Sequence, residues 1–506
     1  MNPPAIVLSV NPSRRALRWL ASAVALAAAS AVVACGEGTG ASKPKGTGGT
    51  DGGDGGGGAA GSGAIDSFPY TPAGCGYTVA PPDVAESAGN TDTFGADATP
   101  RYLHSSWPGE THTGFAVNWV TDLDTLATQM LIGKERTAVE GADAASAGVT
   151  LQYGHTMLYG SVLFADSKQR AHEVHVCGLD ADTTYYYKVG GPGHWSQTYE
   201  FSTAPTPGTA APFKFAVLGD SRSGPEIYAQ IQKAAFDEGA DFQLFSGDFV
   251  DNTQNQSQWE ALFGGASSGF AVQDALAQRP MMPANGNHDN LSAYYNGLMA
   301  LPQDVSQGES AQGEEWYSFD YANAHFVVVN SESPAATLTT QREWMRADLA
   351  KVDRAETPWI FVSFHTPTYS CASTHEGDQL PIRAAWQPVF DEFEVDFVLM
   401  GHVHNYQRTV PIRGFQPGGT EGQVAAKGAN DVPVIDGAGK ASGTLYVLSA
   451  GAGGDLYGVK PASECYFASK TEETNNWGLF ALDGKQVAFT AYKLDGSVMD
   501  QLTFTK

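Results

Sequence analysis

The sequence predicts a multidomain chain of mixed α+β and α/β class: an N-terminal β-sandwich followed by a layered α/β domain. Three observations predict it. Between about residues 66 and 205, short β-rich runs are separated by turn residues. "PTPGTAAP" (205–212) then reads as a Pro/Gly/Ala linker. From residue 213 onward, apolar strand-like runs alternate with helical patterns, which is the rhythm of a layered α/β domain. The 506 residues exceed what one compact domain needs, and 42% hydrophobic residues supply a sizeable core.

Residues 1–34 read as an export signal. Arg14, Arg15 and Arg18 form a basic start, and Trp19 to Ala34 is an alanine-rich apolar run, shorter than the roughly 20 residues that span a bilayer. Its end, "VVAC", resembles the lipobox of bacterial lipoproteins, which implies that Cys35 becomes the lipidated first residue. An ordinary signal peptide followed by a chance cysteine is the other reading. "SRRALR" (13–18) loosely resembles a twin-arginine export signal. Residues 35–65 are Gly-rich and low in complexity, a tether rather than a fold. The expected location is the bacterial cell envelope, lipid-anchored, or the exterior; Gly36 after the cysteine points to the outer membrane by analogy.

The formal net charge of −26 becomes −29 once a leader with three arginines and no acid is removed. Such a chain excludes nonspecific binding to nucleic acid or to anionic headgroups, but not a small phosphorylated substrate, because a metal centre reverses the local field. Four of the five cysteines remain after Cys35: Cys75, Cys177, Cys371 and Cys465. An even number in an exported chain implies disulfides. Three pairings are possible, and domain boundaries favour Cys75–Cys177 and Cys371–Cys465.

Within the sandwich, "FAVNWVT" (115–121) and "QRAHEVHVCGL" (169–179) alternate as half-buried strands do, with Trp119 and Tyr185 as core. "GLDADTTYYYKV" resembles the tyrosine-corner region of fibronectin type III domains, with Leu179 and Tyr185 in matching places. His172 and His175 belong to this domain, away from any site. In the second domain (211–506) the apolar runs are 213–218, 242–246, 280–284, 325–330, 359–364, 395–400 and 444–449, with a terminal β-meander at 477–504. "PEIYAQIQKAAFDEG" predicts a helix from Pro225 that stops at Gly239. Thr340 and Glu343 predict a capping box opening a helix over 339–351.

The chemistry lies in the residues that come directly after these runs. Asp220 comes after the first, Asp248, Asp251 and Asn252 after the second, and Asn287, His288 and Asp289 after the third. His365 succeeds "WIFVSF", and His402 and His404 succeed "VDFVLM". Strand ends are where α/β domains build sites, so these groups are expected along one edge of one sheet. Carboxylates, an amide and imidazoles suit Mn, Fe or Zn. They are too many for one ion, and two ions sharing a bridging carboxylate is the economical arrangement.

The order Asp…GDxxD…GNHD…H…GHxH resembles the calcineurin-like metallophosphoesterase superfamily. "FHTPTYS" (364–370), "GHVHNYQR" (401–408) and the preceding sandwich resemble purple acid phosphatases in particular. The resemblance covers about 66–506. It implies hydrolysis of phosphate monoesters at two metal ions, Fe with Fe, Zn or Mn, through water activated between them. It implies Asp220, Asp248 and His404 on the first ion, and Asp248, Asn287, His365 and His402 on the second, with Asp248 bridging. His288 would protonate or stabilise the leaving oxygen, with the Asp251 carboxylate orienting it; His375 resembles a substrate-contacting histidine. A phosphodiesterase of the same fold, or a tethered binding protein with a degenerate metal site, are the alternatives. His325, before an apolar strand, reads as structural.

Two positions depart from the pattern. Where purple acid phosphatases carry the tyrosine that binds the first iron, this chain has Asp251. Where the wider superfamily often has a histidine two residues after the first aspartate, it has Arg222, which stays protonated and binds no cation. Asn252, a water or a phosphate oxygen are candidates for the missing ligand. Arg222 reads either as a salt bridge, to Asp251 or Asp289, or as a fork for the substrate phosphate.

Overall fold

The computed structural model describes residues 65, 67–80, 86–158, 168–289, 292–303, 314–375 and 379–506. The export signal, Cys35 and the tether up to residue 64 lie outside the described residues. The described residues all fall within one compact unit. Among the described residues no helix is long and apolar enough to cross a membrane.

The β-rich runs between 86 and 202 form two sheets. One orders Glu86–Gly89, His155–Leu158, Arg170–Val176, Phe115–Thr121 and Arg101–Ser106; the other orders Val149–Tyr153, Gln129–Gly133, Thr184–Gly190 and Tyr199–Ser202. Phe115 stacks on Phe201 at 3.8 Å and meets Tyr187 at 5.4 Å, closing the core between them. The expected half-exposed alternation fails here: every residue of Phe115–Thr121 and Arg170–Val176 is buried. The polar residues of the alternation lie on a covered face. His104 and Ser106 on the neighbouring strand bond the carbonyls of Leu298 and Ala300, which belong to the following α/β portion. Glu173 accepts from Asn118 at 2.9 Å and from His175 Nε2 at 2.7 Å, while Tyr77 lies against His175 and Tyr70 against His155. Polar burial is tolerated because the partners are present. Cys75–Cys177 ties the segment carrying both tyrosines to this sheet, and Cys371–Cys465 forms too, the favoured pairing.

Residues 213–505 form two larger mixed sheets rather than one, which corrects the single-sheet expectation. The first orders Met281–Pro283, Phe242–Phe245, Phe213–Leu218, Asn476–Asp483, Gln486–Lys493 and Val498–Thr505. The second orders Tyr317–Tyr321, Ala324–Val328, Trp359–Ser363, Phe397–Met400, Leu445–Ser449, Tyr406–Thr409 and Ala468–Glu472. Strand alternation alone cannot tell one wide sheet from two facing ones. The aromatic residues on the inner faces decide it: Phe215 meets Phe326 at 5.2 Å and Phe361 at 5.0 Å, edge to face across the gap. Pro225–Asp237 is helical as expected, with Gly239 left-handed behind it. The capping box is not formed. That helix spans Ala335–Leu349 from Pro334, so Thr340 is interior and bonds back to Ala336, while Glu343 pairs with Arg342 and Arg346. The buried series Leu338, Gln341, Met345 and Leu349 needs the earlier start.

His325 is structural, as expected. Burial opposes its charge, but bonds to Asp320 (2.7 Å) and Asp348 (2.9 Å) outweigh that and hold it up to about 9. A raised folded-state value stabilises fully below the unfolded value of about 6.5 and is lost as pH rises through 9. Thermal melts should therefore show the parent protein's advantage over His325→Gln to be largest near pH 6, on the order of 2 kcal/mol, and to shrink steadily up to pH 9.5.

Candidate metal centre

The parallel strands of both sheets end at the same side, and their following loops meet there. Backbone strain marks the spot: Asp220 (φ 61), Arg222 (φ 44), Asp248 (φ 60) and His402 (φ 71) are all left-handed, a conformation that persists only where surrounding contacts over-determine it. Glycine is required at two approaches. A Cβ on Gly286 would stand 2.3 Å from Asp248 Oδ1, and one on Gly401 2.7 Å from Asp220 Oδ2.

Two ligand sets emerge, each with donor atoms within 4.8 Å of one another: Asp248, His365 and His402, and Asp220, Asp248 and His404. Asp248 belongs to both. Asn287 joins the first set, its Oδ1 lying 3.1 Å from His365 Nε2 and 2.9 Å from His402 Nδ1. His365 donates Nδ1–H to the Ser246 carbonyl (2.7 Å) and His404 donates Nδ1–H to the Asp455 carbonyl (2.6 Å). Each bond turns Nε2 toward the cluster: His365 Nε2 is 3.4 Å from Asp248 Oδ1, and His404 Nε2 is 3.4 Å from Asp220 Oδ1.

These residues fit divalent or trivalent cations. His404 Nε2 is buried with no hydrogen-bond partner, and Asp248 Oδ2 accepts no hydrogen bond and has the Arg222 guanidinium only at 3.5 Å, a costly condition that a closer cation relieves. The field has the required sign. Burial disfavours charge on His365, yet the Asp248 and Asp220 carboxylates outweigh it and hold its value well above the usual range. Burial also raises Asp248, but His365 overcomes it and keeps the carboxylate ionised. His402 is pushed down to about 3 by burial and by His365, which leaves a neutral imidazole able to donate a lone pair.

The residues around the sets depart from expectation in three ways. The Asp251 carboxylate does not orient His288. His288 Nδ1 bonds the main-chain oxygen of Asp251 at 2.7 Å, while the carboxylate takes Arg222 Nε at 2.8 Å. A guanidinium two residues beyond Asp220 outcompetes an imidazole for that carboxylate because it is always charged. Of the two salt-bridge partners expected for Arg222, Asp251 is the one found and Asp289 is not. Asp289 accepts the amides of Asp248 (2.8 Å), Phe249 (3.1 Å) and Gly286 (2.9 Å), lashing the second and third ligand loops together. Burial, then the charge of Asp248, pushes it up to about 7. Asn252 is exposed and its Oδ1 accepts from Gln254, so it supplies no replacement ligand.

Arg222 sits with its NH1 3.5 Å from Asp248 Oδ2 and only 18% of its side chain exposed. His375 lies beside the cluster, its ring 5.0 Å from that of His402. Sequence reading missed Tyr457, which stacks between His375 (4.1 Å) and His404 (4.3 Å). The signal was present: "AGAGGDLYG" comes after the seventh run, another strand end. Gly454 lets the loop through, since a Cβ there would lie 2.4 Å from the His404 ring.

The two facing sheets with ligands at their shared edge define a metallophosphoesterase. The calcineurin-like phosphoesterase pattern matches residues 213–406, and the N-terminal domain pattern of purple acid phosphatases matches 100–203. Purple acid phosphatase 21 of Arabidopsis thaliana is 32% identical over 325 residues, 62% of this chain and 67% of that protein. Phosphoenolpyruvate phosphatase of Allium cepa is 27% identical over 62% of this chain and 64% of its own length. A purple acid phosphatase from yellow lupin (Lupinus luteus) seeds shares the fold, with a TM-score of 0.64, 20% identity, and coverage of 81% of this chain and 74% of that one. The chain belongs to the purple acid phosphatase family, and it is a metal-binding hydrolase of phosphoric esters.

Proposed function

We propose that this protein is an exported acid phosphatase that hydrolyses small phosphate monoesters with two metal ions. The observation that carries the reading is the pair of ligand sets sharing Asp248. Asp220, Asp248 and His404 hold the first ion; Asp248, Asn287, His365 and His402 hold the second. Fe paired with Fe, Zn or Mn suits these donors, and one relative is named as an Fe(3+)–Zn(2+) enzyme. Such a pair neutralises phosphoryl oxygens and supplies a water acidic enough to act as nucleophile. His288, fixed by the Asp251 carbonyl, delivers a proton to the leaving oxygen. His375 and Tyr457 line the substrate side.

Arg222 is assigned to the substrate phosphate. Asp251 holds its Nε and NH1 faces Asp248 Oδ2 at 3.5 Å, which fixes the guanidinium plane at the edge of the metal centre, where a phosphate oxygen can meet it. Arg222→His should raise KM about 30-fold, the equivalent of roughly 2 kcal/mol for a charge-assisted bond, while tightening binding of the first ion in a metal titration. No change in either quantity would remove this assignment.

The remaining architecture is read as a lipoprotein-type signal (1–34) with Cys35 lipidated, a tether (35–65), a fibronectin type III-like sandwich (66–205) and the catalytic domain (211–506). Support for the sandwich type comes from Tyr185, whose hydroxyl accepts the Asp180 amide at 3.0 Å, as in a tyrosine corner. Two disulfides suit an oxidising compartment. A panel of monoesters, including phosphoenolpyruvate, set against diesters tests the function on metal-loaded protein. Hydrolysis of diesters alone, or of neither class, overturns the monoesterase reading.

A further inference from the structure

Two segments meet beside the ligand cluster without belonging to either sheet. Residues 371–374 come after the His365 loop, and 457–460 after the loop that cradles His404. They run antiparallel, with Ala372 bridged to Val459. Ser373 donates its amide to the Gly458 carbonyl at 2.9 Å, and Lys460 donates to the Cys371 carbonyl at 2.9 Å. The Gly458 amide donates to Thr374 Oγ1 at 2.7 Å. Cys371–Cys465 closes one end of this ribbon, with the Cα atoms 6.1 Å apart. The other end carries the stacked rings of His375 and Tyr457 against His402 and His404.

A two-stranded ribbon this short is marginal in water. Ser373 and Thr374 are exposed, so solvent competes for its hydrogen bonds. The disulfide, by contrast, stands on firm ground. Cys371 is buried and its amide donates to Gln407 Oε1 at 2.6 Å. Two residues after Cys465, the buried Phe467 accepts from the Val410 amide at 2.8 Å. We propose that Cys371–Cys465 is a positioning bridge for substrate: it staples the ribbon so that the His375–Tyr457 wall stays at the mouth of the metal centre. The imidazoles of His365 and His404 are held through Nδ1 by the Ser246 and Asp455 carbonyls, outside the ribbon, and Asp220, Asp248, Asn287 and His402 come from other loops, so the bridge acts on substrate grip and not on metal content.

The proposal rests on the phosphatase reading, and its test separates the two. In the metal-loaded full chain, Cys371→Ser/Cys465→Ser should raise KM for a phosphate monoester, and Kd for inorganic phosphate, about 5- to 20-fold. The value of kcat should stay within about twofold and metal content unchanged. Amide exchange at 457–460 should accelerate. Cys75→Ser/Cys177→Ser should leave KM and phosphate Kd as they are. Should the first double variant misfold, Thr374→Val in the oxidised protein removes one ribbon bond and should raise KM about two- to threefold. Unchanged KM and phosphate Kd in a folded variant overturn the proposal, and so does loss of metal together with substrate affinity. If the parent protein hydrolyses no phosphate ester, the functional reading fails, while phosphate binding and amide exchange still decide the bridge.

Discussion

Asp248→Asn is expected to lower phosphate monoester hydrolysis at least about a thousand-fold, roughly 4 kcal/mol of transition-state stabilisation. The change is nearly isosteric. Asparagine can still accept the His288 amide, which now donates to Asp248 Oδ1 at 2.8 Å, and it keeps the packing against Gly286. What it removes is the one negative charge common to both ligand sets. Metal analysis should therefore show both ions weakened together, whereas Asn287→Ala should weaken only one. The same carboxylate is the main charge holding His365 up, so the neutral variant also loses the field that draws cations to the second set. Retention of two tightly bound ions by Asp248→Asn, with activity intact, would sink the shared-ligand reading.

His288→Ala is expected to lower kcat about 10²- to 10³-fold while leaving metal content unchanged. Neither ligand set among the described residues includes His288, and its ring is oriented through Nδ1 by the Asp251 carbonyl. A proton donor matters most when the leaving oxygen is basic. The loss should be large for alkyl phosphates and several-fold smaller for an aryl phosphate whose phenolate departs unaided. An equal loss for both substrates would show that His288 does something other than protonate the leaving group. The Asp251 side chain should contribute little to this readout, because it is engaged with Arg222; Asp251→Asn is expected to act on KM instead.

Much of this centre was legible in one dimension. Each ligand sits directly after an apolar run, and the spacing from Asp220 to His404 tracks the strand order, because a strand end is the only place where a short loop can deliver a side chain to a shared edge. The disulfide pairs were legible for a related reason: each closes within one structural portion of the chain.

The partnerships among neighbours were not legible. Asp251 stands three residues after the bridging aspartate, and sequence spacing alone assigned its carboxylate to His288. The left-handed turn at Arg222 instead swings a guanidinium onto it, and His288 takes the carbonyl. Likewise the pattern of apolar runs foretold seven core strands but not two facing sheets, which depend on Phe215, Phe326 and Phe361 meeting edge to face across the gap. The sequence by itself determined the element types, the donor chemistry and the order in which donors reach the edge, since these arise from local periodicity and from residue type. Only the tertiary structure decided which carboxylate pairs with which cation, and that Tyr457, far along the chain, packs between His375 and His404. Such choices turn on ångström-scale geometry and on competition among charges brought together by folding, and no linear spacing encodes that competition.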